Sequence, residues 1–167
     1  GCATHTDQLQ AIRASYHSGD VPGAKAKIDA AIAKSRRDAD VLKLDRAMVL
    51  LSEGKPKEAE ALLREVRDRF EDKEGKDLAE GALSMLTDDQ QLAYAGEDYE
   101  KVLIRVMLAL ANLMADGADA PAYALQVNQK QQLIIEKSRS ADADGKNLKA
   151  GYQFVPVGPY MHAALRE

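Results

Sequence analysis

Glycine recurs in this sequence at a spacing that constrains everything around it. Gly19 and Gly54 stand 35 positions apart. Each is followed five residues later by an alanine (Ala24, Ala59), nine later by a large aliphatic (Ile28, Leu63) and twelve later by another apolar residue (Ala31, Val66). Gly117, with Ala122 five residues on, restores the first part of the pattern. The order has a physical reading: glycine permits a tight turn, alanine lets the next helix approach closely, and the larger residues fill the gap to a neighbour. A unit of this length cannot bury its apolar face alone, so the pattern predicts helical hairpins packed in a row.

The helices can be read from apolar spacing and from their stop signals. The first is predicted over about Asp7 to Ser18, with Leu9, Ile12 and Tyr16 on one face and Gly19-Asp20 as its stop. Pro22 opens the second at a first-turn position, where its missing N–H costs nothing, and its apolar face is Ala24, Ile28, Ala31 and Ile32. Asp38 or Asp40 caps the third, whose expected stripe is Val41, Leu44, Met48 and Leu51. Gly54 ends it, and Pro56 starts a fourth with Ala59, Leu62, Leu63, Val66 and Phe70 on one side. The 35-residue period then lapses: Asp89 occupies the position where glycine is due. A short helix over Asp77 to Leu86 is expected there.

From Tyr94 to Met114 the chain reads as a helix that is apolar almost all round, with Tyr99, Val102, Val106, Leu110 and Leu113 on its main face; it is expected to be the central, most buried one. Pro121 opens an amide-rich helix to about Lys137, carrying Gln126, Gln129, Gln131 and Gln132. Residues 138–151 are small and polar. Tyr152 to Gly158 is expected to be extended, since Pro156 and Pro159 disfavour the helical region before them, and Pro159 starts a last helix. The expected organisation is a tether over 1–6 and a single all-α domain over 7–167. Its hairpins fall at about 7–35, 38–72 and 97–138, followed by a loop over 138–158 and a final helix over 159–167.

Composition supports the helical reading. The apolar 46% leans on small and aliphatic residues, with no Trp and 5% aromatics, where a β-sandwich would want more β-branched and aromatic residues. The net charge of −4 offers no broad electropositive surface, which argues against nucleic acid as a partner. The basic run Lys34 to Arg37 adjoins Asp38 and Asp40 and reads as a solvated helix end. Val102 to Met114 is too short, at a requirement of about 20 apolar residues, to be a membrane span.

The segments Gly19-Asp20-Val21-Pro22-Gly23-Ala24 and Gly54-Lys55-Pro56-Lys57-Glu58-Ala59 resemble the inter-helix turn of tetratricopeptide repeats. They lack that family's aromatic early in the first helix and its repeat-closing proline. The resemblance implies antiparallel hairpins stacked as a short solenoid with a partner-binding groove. Gly1-Cys2-Ala3 resembles the end of a bacterial lipobox, which implies lipidation at Cys2. The other reading of the same residues is an arbitrary start with a surface thiol. The stretch Gly96-Glu97-Asp98-Tyr99-Glu100-Lys101-Val102, with Gly158-Pro159-Tyr160-Met161-His162, is similar to segments of bacterial lipoproteins containing tetratricopeptide-like repeats. That likeness implies an exported, lipid-anchored scaffold and carries over no catalytic residue.

Point sites for chemistry are scarce. His5, His17 and His162 lack a carboxylate at a spacing that would orient a general base, and they read as surface or helix-end residues. Ser140, Asp142, Asp144 and Gly145 match part of a calcium loop, but its last ligand position holds Gly151, so a solvated loop is favoured. Glu97, Asp98 and Glu100, near Asp88 and Asp89, are what a helix N-terminus attracts, and capping is preferred to acid–base work. Arg105 interrupts an apolar helix and is expected to snorkel or to pair with Glu97 or Asp98.

Cys2 being the only cysteine, there is no internal disulfide, and neither a metal nor a cofactor is called for. The remaining candidate is a surface: a groove lined by Gln10, Arg13 and Tyr16 of the first helix with Lys43 and Arg46 of the third. The functional expectation is therefore a non-enzymatic interaction scaffold for envelope proteins or peptides, anchored through Cys2 in the periplasm or at the outer membrane. The alternative is a small-molecule or metal sensor with a pocket between the repeats.

Overall fold

A computed structural model of the chain describes residues 5–35, 39–80, 98–140 and 156–165, with side chains over 7–35, 39–76, 98–136 and 156–165. Every regular element among the described residues is a helix, and the chain groups into two compact units, Gly1–Ala95 and Gly96–Glu167. The expected hairpins at 7–35 and 38–72 fall in the first unit and the one at 97–138 in the second.

The first unit holds α1 (His5–His17), α2 (Val21–Lys34), α3 (Ala39–Ser52) and α4 (Pro56–Glu80). Consecutive helices pack on one another along this series. Both glycine turns adopt the left-handed region, with φ +84° at Gly19 and +70° at Gly54, and a Cβ at either would meet nothing within 4 Å. The need for glycine is therefore one of backbone angle alone. The two turns share one hydrogen-bond pattern. Gly19 N–H donates to Tyr16 O (3.0 Å) and Asp20 N–H to Ser15 O (2.9 Å); Gly54 N–H donates to Leu51 O (3.1 Å) and Lys55 N–H to Leu50 O (2.9 Å). These paired bonds satisfy the last carbonyls of α1 and α3. Asp20 then caps α2, its Oδ1 accepting from Gly23 N–H at 2.9 Å, and Pro22 sits in the first turn.

Ile12, Ala24, Ile28, Leu42 and Val49 form a core shared by α1, α2 and α3, with Leu9, Tyr16 and Ile32 packed around it. α4 buries Ala59, Leu63, Val66 and Phe70. Each large side chain so enclosed contributes about 1.5–3 kcal/mol. On these helices the expected faces are the observed ones. On α3 they are not: Leu42, Ala47, Val49 and Leu50 are buried while Met48 is exposed. α3 packs against both α2 and α4 and so buries two faces, neither of which is the simple stripe of the sequence. α4 also runs on through Gly75 to Glu80, so residues 77–80 continue it and do not begin a new helix. The rest of the expected Asp77 to Leu86 helix lies outside the described residues.

The second unit holds α5 (Asp98–Ala115), α6 (Ala120–Ser140) and α7 (Val157–Ala164), with α6 packed against both others. Val102, Val127 and Ile134 are its buried aliphatic centre, joined by Val106 and Val157. The α5–α6 turn is tied by Asn112: its carbonyl accepts from Gly117 N–H (2.8 Å) and its Oδ1 from Asp119 N–H (2.9 Å), with Gly117 at φ +74°. α7 starts at Val157, two residues before the expected Pro159, so Val157 and Gly158 are helical and not extended. The steric bar before proline weakens at Gly158, which has no Cβ, and a first-turn Pro159 gives up no intrahelical bond. A Cβ at Gly158 would stand 2.2 Å from Asn128 Oδ1 and 2.8 Å from Val127 Cγ1, so glycine is also what lets α7 lie against α6.

α5, expected to be the most buried helix, departs from the sequence reading in the face it buries. Val102, Ile104, Leu108 and Ala109 are buried, but Tyr99, Leu110 and Leu113 of the expected face are exposed. No described helix is long and apolar enough to cross a membrane.

Candidate interaction surfaces

The five residues expected to line one groove fall in two places around α3. At 100° per residue, Lys43 and Arg46 point roughly away from the side carrying Met48 and Ser52. On the latter side Tyr16 of α1 meets Ser52 of α3, Oη to Oγ at 2.5 Å. Ser52 Oγ donates to Met48 O (3.0 Å), which leaves Tyr16 as donor to Ser52. Arg13, one turn earlier on α1, faces Asp45 of α3 electrostatically. Burial pushes the Asp45 carboxyl above its ordinary value, and the Arg13 charge offsets part of that. Gln10 is exposed on α1 and Met48 on α3. This surface thus combines a cation, a half-buried carboxylate, two hydroxyls and an exposed thioether.

Lys43 and Arg46 border a separate open cleft of about 540 Å3 formed by α2, α3 and α4. Lys43 Nζ reaches Glu65 Oε1 of α4 at 2.6 Å, and Arg46 Nε reaches Asp29 Oδ1 of α2 at 2.8 Å. α3 therefore extends one cation to each neighbour, with Ile32, Leu50 and Leu62 between them. Arg46 Nη1 is enclosed without a hydrogen-bond acceptor. These ion pairs are half open to water, so they orient helices more than they stabilise them. A smaller slot of about 230 Å3 lies between α1 and α2, with an Ile12 and Ala31 floor and Lys27 and Lys34 at its rim.

Sequence reasoning gave Asp40 only a capping role, as an alternative to Asp38, whereas it is the second residue of α3. It is buried at the start of α3 and accepts from Arg69 Nη1 (2.8 Å) and Lys73 Nζ (2.9 Å) of α4. Burial opposes its ionisation, but the bonds and charges of Lys73 and Arg69 prevail and hold its carboxyl below the usual value; in return Arg69 is pushed up. This triad clamps α3 to α4. A signal did exist: Asp40 was read as a cap, and Arg69 and Lys73 are spaced to share a face of α4.

Among the histidines, His17 ends α1 edge-on to Tyr16, with ring centroids 5.8 Å apart, and His162 is half-buried in α7. The side chain of His5 is not among those described. Asp98 and Glu100 occupy the first turn of α5, and Lys101 lies 3.8 Å from Asp98. Arg105 does not snorkel: it is 4% exposed and donates from Nη1 to Lys101 O at 2.5 Å. Cys2, Glu97, Asp88, Asp89 and the Ser140 to Gly151 loop (with Ser140 present only as backbone) lie outside the described side chains. Among the described residues no group of three His, Cys, Asp or Glu side chains could hold a metal ion. No family model, curated protein or solved structure matches the chain.

Proposed function

We propose that the chain is a non-catalytic scaffold of the bacterial cell envelope, a tetratricopeptide-like row of hairpins held to a membrane by lipid on Cys2. The observation that carries this reading is the 35-residue recurrence together with four helices packed in consecutive order and closed by two identical glycine turns. Repeats of that kind present their first helices side by side, and solenoids bind extended or helical segments there. The binding surface is the α1–α3 side: Gln10, Arg13 and Tyr16 with Asp45, Met48 and Ser52. Lys43 and Arg46, on the opposite side of α3, line the separate α2–α3–α4 cleft and stand outside this surface. The partners are envelope proteins or peptides. Mixed charge with an exposed Met48 and a half-buried Tyr16 suits a peptide carrying both apolar and charged side chains.

The test is an in-cell crosslinking capture with the full-length protein in three forms: wild type, Cys2→Ala, and Arg13→Glu combined with Met48→Asp. Loss of membrane association in Cys2→Ala and loss of a defined partner set in the double variant, with helical circular dichroism retained, supports the reading. The same partners captured by all three forms would sink it.

A further inference from the structure

Five of the nine exposed large apolar side chains among the described residues sit on α5. They are Tyr99, Leu103, Leu110, Leu113 and Met114, exposed by between 41% (Leu110) and 60% (Tyr99). They are not scattered. With half-buried Val106, the series Tyr99, Leu103, Val106, Leu110, Leu113 advances by four, three, four and three residues. That is the 3.5-residue period of a helix that meets another helix along its length. At 1.5 Å per residue the seam is about 21 Å long. The two cations of this stretch, Lys101 and Arg105, are turned inward and buried, and the one other charge between Asp98 and Asp116 is half-buried Glu100 in the first turn, so the five seam positions themselves are uncharged.

We propose that this seam is a self-association surface, with α5 of one copy packing on α5 of a second copy of this chain about a two-fold axis. A two-fold axis lays one patch against itself, so a charged stripe would meet its own sign there; an uncharged Leu/Met/Tyr seam meets no such penalty. The area agrees. Complete burial of the exposed parts of the five exposed side chains would remove about 500 Å2 per copy from water, or about 1,000 Å2 in the pair, which reaches the lower limit for a specific interface. An interface of that size makes a dimer that dissociates on dilution. The surface is distinct from the α1–α3 side assigned to partners, and the inference stands without that assignment.

Sedimentation equilibrium of the 167-residue chain from about 1 to about 100 µM brackets a dissociation constant of micromolar order. The wild type is expected to rise toward twice the chain mass over that range. Leu103→Glu/Leu110→Glu and Leu103→Lys/Leu110→Lys are each expected to stay monomeric, and an equimolar mixture of the two to recover the dimer. Both positions are changed together so that parallel and antiparallel pairing are covered alike. Leu133→Glu, an equally bare position on α6, is the control and is expected to dimerise like the wild type. A monomeric wild type at the highest concentration overturns the proposal. So does a mixture that stays monomeric, or a Leu133→Glu protein that loses the dimer. Mixing also separates lost association from lost folding, because two misfolded variants do not restore one another.

Discussion

Replacing Asp40 by Asn tests the joint between α3 and α4. The carboxylate is only 7% exposed and receives two charge-assisted hydrogen bonds, whereas Arg69 is 50% exposed and Lys73 half-buried. A hydrogen bond to a charged group contributes about 1.5–3 kcal/mol when enclosed. The exposure of Arg69 brings its share down toward the value of a surface pair, below about 1 kcal/mol. Lys73 keeps more, and Asp40 also sits in the first turn of α3, where a negative charge adds about 0.3–1 kcal/mol. Asn retains the shape and one acceptor, so the expected loss is about 2 kcal/mol, measured by urea unfolding followed by circular dichroism. The pH dependence carries the sharper test. The folded carboxyl titrates below its ordinary 3.8, so its contribution is complete above that value and is lost as pH falls through the lower, folded value. The gap between wild type and Asp40→Asn should be constant from pH 7 down to about 5 and close below about 4. A loss under about 0.5 kcal/mol, or a gap that persists unchanged into strong acid, refutes the clamp.

Three further outcomes follow from geometry. Gly54→Ala is expected to destabilise by about 1–2 kcal/mol because its φ is positive, whereas Gly75→Ala, mid-helix with open space around it, should stabilise by about 0.5–1 kcal/mol; thermal melts compare them directly. Asp45→Asn should be more stable than wild type at pH 7. The Asp45 carboxyl titrates above its ordinary value in the fold, so its ionisation weakens the folded state as pH rises through that window, and the advantage of Asn disappears in acid. Gly158→Ala forces a Cβ into Asn128 and Val127 and is expected to cost about 1–3 kcal/mol, seen first as faster amide exchange in α7; unchanged exchange there contradicts the close α6–α7 contact.

What could be read from the sequence depended on how many sides of a helix are covered. α2 and α4 show single stripes, and Ala24, Ile28, Ala59, Leu63, Val66 and Phe70 are buried as their spacing predicts. α3 lies between two helices: Leu42 and Val49 join the core with α1 and α2, Ala47 and Leu50 are buried as well, and of the tidy Val41-Leu44-Met48-Leu51 series three are only half-buried and Met48 is exposed. α5 is apolar almost all round, and periodicity alone gives such a helix no inside; of the series expected as its core face Val102 is buried and Val106 half-buried, while Tyr99, Leu110 and Leu113 are exposed. The glycine turns were legible because a positive φ leaves few alternatives to that residue. The ion pairs were not. Lys43 with Glu65 and Arg46 with Asp29 join residues 22 and 17 positions apart, and nothing local in the sequence couples them. The same blindness assigned Lys43 and Arg46 to the side of Arg13 and Tyr16, since helical phase about α3 becomes visible only once its neighbours are placed.

The matched turns at Gly19 and Gly54 make the array editable. A second copy of residues 20–54 spliced in after Gly54 would begin with the Asp20 that already follows one such glycine, and would end with the glycine that already precedes Lys55. Both joints then present bond partners the chain is known to accept, and α2 already has a helix on each side. Lengthening by whole hairpins is thereby open to a single in-frame duplication, whereas a duplicated segment cut out of phase with the glycines puts a Cβ-bearing residue, or a helix interior, where the chain must reverse direction.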